Sequence, residues 1–255
     1  MPTTYLNVEG AKSQSGLRMV VVAGLPSPWS EAAKGILHIK NIPWTGVYLD
    51  PRDNDMAKWT GSRSAPVIMY NDEAPRPGWE QILLLAERLS TEPSLLPIDS
   101  ATKAIALGLC HDICGEQGLG WVRRLDSVHS GLTGEGGFPE PIAQYLAQKY
   151  GYKKQQGPEY QVHVVSLLNK LADHLHKQRD KGERFYMGTT LSAVDIYSAT
   201  FMAYFKPLAA EHSPMPDSIR SAFESISEQI SAALDPILIE HRDFIYSEYL
   251  ELPLV

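Results

Sequence analysis

The run GLRMVVVA at residues 16–23, followed within five residues by a helix that opens on a proline, constrains this chain more than any other feature. A continuous apolar run of that length, if a strand, is buried on both faces and belongs in the middle of a helix-covered sheet. The helix after it, residues 28–41, carries Trp29, Ala32, Ala33, Ile36 and Leu37 at i, i+3, i+4, i+7 and i+8. That is one face of a 3.6-residue period, so Trp29 is expected to pack with the others against the sheet. Pro28 suits the first helical position, because the N–H it lacks has no partner there. Ser27 is then the natural N-cap.

The same alternation continues. WTGVYLD reads as a second strand, PRDNDMAKWTGSRS as a loop with a short helix, and APVIMYN as a third strand. DEAPRPG holds two prolines, so a strand there must lie at an edge. WEQILLLAERL is a helix with Ile82, Leu85, Ala86 and Leu89 on one side. After STEPSLLPIDS the strand pattern stops, and helical periods fit residues 101–125, 141–150 and 159–179. The expected organisation is a domain at 1–92 with an N-terminal extension at 1–16, a linker at 93–100, and an all-helical domain at 101–255. SGLTGEGGFPEP, residues 130–141, has four glycines and two prolines and is expected to be a flexible loop able to act as a lid.

Composition narrows the partners. With 44% hydrophobic and 21% charged residues the chain is of the globular class, and its net charge of −7 argues against nucleic acid or an anionic membrane surface. It contains no apolar stretch of about 18 residues and no basic, apolar leader at its start, so a cytoplasmic location is expected. The two cysteines, Cys110 and Cys114 in CHDIC, are at helical spacing rather than the CxxC of redox or zinc sites. They read as buried reduced thiols, and no metal site is expected. His174 and His176 point to different helix faces, and GxSxG elbows and Gly-rich phosphate loops are absent from the sequence.

In GTTLSAVDIYSATF, Ser192 and Asp195 stand as N-cap and N3 of a capping box, starting an apolar helix expected at the centre of the helical half. A βαβ half carrying SAPVIMYN, followed by helices carrying this box, resembles the soluble glutathione transferase superfamily over nearly the whole chain. The resemblance implies an α/β thioredoxin-like N-terminal domain with a mixed four-stranded sheet, followed by an all-α C-terminal domain. It also implies a cis proline at Ala65-Pro66, glutathione as co-substrate and a homodimer. SPWS, residues 27–30, occupies the place of the family's active-site turn.

Such an enzyme must hold glutathione as a thiolate, although a free thiol has a pKa near 8.5. A helix N-terminus lowers it, and a hydroxyl donating to sulfur adds to the effect. Ser27 has that hydroxyl, whose hydrogen stays available even if its oxygen caps the helix. Ser30 is the second choice; alternatively it is a solvated helix residue. Where the family usually places an acidic residue and then Ser or Thr to hold the γ-glutamyl end, this chain has PRPGWEQ. Arg76, Trp79 and Glu80 are the candidates there, beside Ala65 and Pro66. Their other reading is a solvated arginine, a buried aromatic and an acid complementing a helix dipole. Trp121, Tyr145 and Tyr150 are candidates for the wall of a second-substrate cleft, or for the core; Tyr145 and Tyr150, five apart, are expected to divide between the two.

Three functions fit this reading. One is an enzyme adding glutathione's thiolate to, or removing it from, a small apolar electrophile. The others are a non-catalytic carrier of apolar ligands and a dimerisation or interaction module.

Overall fold

The computed structural model describes residues 4–254. A four-stranded sheet forms from β1 (Thr4–Tyr5), β2 (Leu17–Val21), β3 (Thr45–Tyr48) and β4 (Val67–Tyr70), in the order β1-β3-β2-β4. β2 and β3 are parallel, with Met19 beside Gly46 and Val20 beside Val47, while β4 runs antiparallel to β2. All five residues of β2 are buried, as a central strand requires.

The fourth strand has an unexpected origin. The N-terminal extension supplies β1, pairing in parallel with Thr45 and Gly46, and α1 (Val8–Lys12) follows it. Tyr5 stacks on Tyr48 at 4.3 Å, and its ring lies where a side chain at Gly46 would project: a Cβ there would be 2.5 Å from the Tyr5 ring. The proline-rich DEAPRPG gives only a single bridge, Ile68 with Arg76, on the far side of β4. Two prolines leave too few donors for more.

α2 (Pro28–Ile39), α3 (Asn54–Thr60) and α4 (Trp79–Leu89) complete this half. Ala32, Ala33, Ile36 and Leu37 of α2 are in the core. The opposite side of α2 is covered as well, because the helical half packs on it: a Cβ at Gly35 would stand 2.7 Å from Leu250. Ser30 and Glu31 are therefore buried, not solvated. Burial raises the pKa of the Glu31 carboxyl, while its ion pair with Lys34 at 2.8 Å opposes the rise.

The helical half comprises α5 (Ser100–Cys114), α6 (Leu119–Thr133), α7 (Glu140–Tyr150), α8 (Gly157–Arg179), α9 (Ala193–Phe201), α10 (Asp217–Glu224), α11 (Glu228–Ala233) and α12 (Pro236–Tyr249). The single helix expected over 101–125 is two. Gln117 has a φ of 63°, and a Cβ on Gly118 would lie 2.5 Å from the His111 carbonyl, so GEQG turns the chain between α5 and α6. The expected loop at 130–141 is also shorter, because α6 runs to Thr133 and stops at Gly134, whose φ is 78°. Its remainder is tied down: Phe138 N–H donates to the Ser127 carbonyl at 3.2 Å and Gly137 N–H to Ser225 Oγ at 3.2 Å.

Every residue of α9 is buried, between α2, α5 and α12. Asp195 anchors its start: one carboxylate oxygen accepts from Ser192 N–H at 2.8 Å and Ser192 Oγ at 2.6 Å, the other from Tyr186 N–H at 2.9 Å. His241 Nε2 stands 3.0 Å from that second oxygen. A buried carboxylate is tolerated because donors surround it.

Candidate functional site

A cleft of about 460 Å³ opens where the start of α2 meets α6 and α7. Ser27, Ala65 and Pro66 form its sheet side, and Trp121, Arg124 and one face of α7 form its helical side. The Ala65-Pro66 peptide bond is cis.

Ser27 occupies the N-cap position, with φ −72° and ψ 121°, and its carbonyl accepts from Glu31 N–H at 2.9 Å. Its hydroxyl caps nothing, contrary to the sequence expectation, and among the described residues it makes no hydrogen bond. The result is a hydroxyl with both donor and acceptor capacity open to the cleft at a helix N-terminus. Ser30 differs: its Oγ is the acceptor for Val22 N–H at 3.4 Å and is fully buried behind the cleft floor.

Trp29 turns its ring to the helical half. Its Nε1 donates to the Cys114 carbonyl at 2.8 Å, its ring meets Phe201 edge-on at 4.7 Å, and it lines the cleft. Gly120 makes this approach possible, since a Cβ there would be 2.2 Å from Phe201 and 3.1 Å from Trp29. Cys110 and Cys114 are buried and free, and burial pushes both thiols up, which keeps them protonated. Among the described residues no group of side chains is arranged to hold a metal ion.

The three aromatic candidates all line the cleft. Tyr145 and Tyr150 do so together because Ile142, Tyr145, Leu146, Lys149 and Tyr150 form one i, i+3, i+4, i+7, i+8 stripe of α7 facing it. The two tyrosines lie on opposite flanks of that stripe. Arg76, Trp79 and Glu80 sit elsewhere. Arg76 pairs with Glu73, which Arg88 also holds, and these two arginines keep the Glu73 carboxyl below its usual range. Trp79 is wedged against Tyr197, whose hydroxyl donates to the Trp79 carbonyl at 3.2 Å. Glu80 is exposed and, among the described residues, unpaired. Of PRPGWEQ, only Pro77 reaches the cleft.

Two cations were not anticipated. The Arg124 guanidinium lies 4.8 Å from the Trp29 ring centre, 4.7 Å from that of Tyr150 and 5.2 Å from that of Tyr204, and Nη1 donates to the Tyr150 hydroxyl. Lys149 Nζ stands 5.9 Å from the Tyr145 ring centre and 5.8 Å from that of Tyr150. Helical spacing carried the signal: Arg124 is i+3 from Trp121, and Lys149 is i+4 from Tyr145.

Solved structures match this architecture over almost its whole length. A glutathione S-transferase from Methylobacterium radiotolerans, in complex with glutathione sulfonate, aligns at TM-score 0.60 with 18% identity over 92% of each chain. The chain has the fold of the glutathione transferases. A glutathione transferase family member from Pseudomonas fluorescens with two glutathione bound aligns at TM-score 0.63, 15% identity and 94% of each chain. One from Methylobacillus flagellatus with glutathione bound aligns at 0.63 with 13% identity, over 91% of this chain and 96% of that one. No protein-family model and no curated protein matches the sequence.

Proposed function

We propose that the protein is a glutathione transferase-like enzyme that joins glutathione's thiolate to a small, largely apolar electrophile, or removes it from one. The observation that carries this reading is the uncommitted Ser27 hydroxyl at the start of α2, opening into a cleft beside the cis Ala65-Pro66 turn. Fold neighbours that bind glutathione support it. Residues 1–92 form the glutathione-binding domain in this reading, 93–100 the linker, and 101–255 the domain that contributes the second substrate wall. The enzyme works in the cytoplasm as a homodimer, and no helix among the described residues is long and apolar enough to cross a membrane.

The chemistry follows from the helix start. Unsatisfied N–H groups of the first turn and the Ser27 hydroxyl favour sulfur as an anion, lowering a thiol pKa from about 8.5 towards neutrality. The thiolate pair forms a C–S bond at the electrophilic carbon. The displaced pair leaves with a leaving group, or moves to the neighbouring carbon and is protonated from solvent; removal is the reverse. Ala65 and Pro66 bound the peptide of glutathione, while Arg76, Trp79 and Glu80 are committed away from the cleft and take no part in this reading. Trp121, Tyr145 and Tyr150 enclose the electrophile.

Ser27→Ala tests the assignment. Removing one donor to a developing or resting anion costs on the order of 10²-fold in rate, and stability should change by under about 0.5 kcal/mol because the hydroxyl caps nothing. Conjugation of glutathione to an activated chloroarene should therefore fall with folding intact. Unchanged conjugation would reject Ser27 as the donor. Apolar dye binding with no conjugation in the unaltered protein would point to a carrier.

A further inference from the structure

The cleft is built for more than an apolar molecule. Although the chain carries a net charge of −7, no aspartate or glutamate lines this cleft among the described residues, while Arg124 and Lys149 both do. Neither cation has a carboxylate within ion-pair distance among the described residues. Burial lowers the pKa of Arg124; partial burial and then the Arg124 charge lower that of Lys149. The two charges share one small volume with nothing of opposite sign.

The guanidinium is oriented as well as uncompensated. Nη1 is occupied by the Tyr150 hydroxyl, and the rings of Trp29 and Tyr150 lie within 4.8 Å and 4.7 Å of its centre. Among the described residues Nε and Nη2 make no hydrogen bond, and Nε is enclosed, as is the Trp121 Nε1–H on the same wall, which also has no partner among them. Nη2 is the donor left for a ligand, and a charge-assisted N–H of that kind suits a carboxylate oxygen. An enclosed donor without an acceptor is costly in a finished core, and nothing among the described residues relieves it here.

We propose that the second substrate is an aromatic or conjugated molecule bearing a carboxylate, which Nη2 of Arg124 holds while Lys149 adds charge at the mouth. This rests on the transferase reading above for the word substrate, and on the cleft alone for the binding. The planar body lies among Trp121, Tyr145, Tyr150 and Phe138, and the carboxylate fixes which end of it faces Ser27. Lys149 is exposed, so it attracts the anion rather than clamps it.

Calorimetric titration of the full chain with 1-naphthoate and its neutral isostere 1-naphthamide, both without glutathione, tests this. Naphthoate should bind at least about tenfold more tightly, as a charge-assisted contact implies. Added salt should weaken naphthoate only. Arg124→Gln should bring the two ligands close to parity, and Lys149→Gln, at an exposed position that does not endanger folding, should reduce the ratio by about threefold. Equal affinities in the unaltered protein, no binding of naphthoate, or a preference that survives both substitutions would overturn the proposal. Undiminished naphthoate binding in saturating glutathione supports it. Competitive displacement would mean that the cations hold glutathione's own carboxylate, and would overturn it. Because these measurements need no turnover, a failure of the Ser27 experiment leaves them standing, and the reverse.

Discussion

Arg123 and Arg124 are adjacent in the chain and meet opposite fates. Arg123 is fully buried, and its guanidinium makes five hydrogen bonds: to Asp126 at 2.8 Å, Ser127 at 2.6 Å, and the carbonyls of Tyr204, Phe223 and Ser225 at 3.2, 3.3 and 2.7 Å. Arg124, about 100° further around α6, has rings on its faces, one hydroxyl at Nη1, and an enclosed Nε with no acceptor. The first arginine binds α6 to the segment around α10 and is closed to chemistry. The second lines a cleft with its charge uncompensated. A buried cation with every donor satisfied indicates architecture, and one with donors held ready indicates a ligand.

Substitutions should separate these roles. Arg123→Met should destabilise most, by about 3–5 kcal/mol in urea unfolding, because it strands the Asp126 carboxylate, whose pKa burial already raises. A loss below about 1 kcal/mol would remove the distinction from Arg124. Asp195→Ala should cost about 3 kcal/mol, since it strips acceptors from Ser192 and Tyr186 at the start of a wholly buried helix. Arg124→Gln should cost no more than about 1 kcal/mol by the same measurement, with its effect appearing in ligand selectivity instead.

Asp235 sets the lower end of the scale. His176, at 3.0 Å, and then the N–H of Ile237 hold its carboxyl below the usual range. A depressed carboxyl contributes stability that is present above its unfolded pKa and lost as pH falls through the folded one. Asp235→Asn should therefore flatten the acid limb of the stability curve slightly and leave the curve near neutral pH almost level, as unfolding at a series of pH values would show.

The sequence made the fold legible where periodicity was strong. The β2 run, the α2 stripe and the Ser192–Asp195 box each point to a local structure that packing preserves. It failed where a tertiary partner decides the outcome. Ser30 is solvated only if nothing covers α2, and Trp29 turns to the helical half because Gly120 leaves room for it beside Phe201. β1 hides in two residues, too few for a period of two to be seen. Pro28 puts Ser27 at the N-cap position, and its place in a site follows from the family resemblance rather than from the cap. Arg124 stands i+3 from Trp121 in WVRRLDS, but that spacing selects it over Arg123 only once Trp121 is known to face the cleft rather than the core.

The central claim is that the start of α2 receives a thiolate beside Ser27. A crystal structure of the protein with glutathione measures it directly. The account predicts sulfur within about 3.5 Å of Ser27 Oγ, with the peptide along Ala65-Pro66. Glutathione bound with its sulfur away from Ser27, or no glutathione at millimolar concentration, would contradict it.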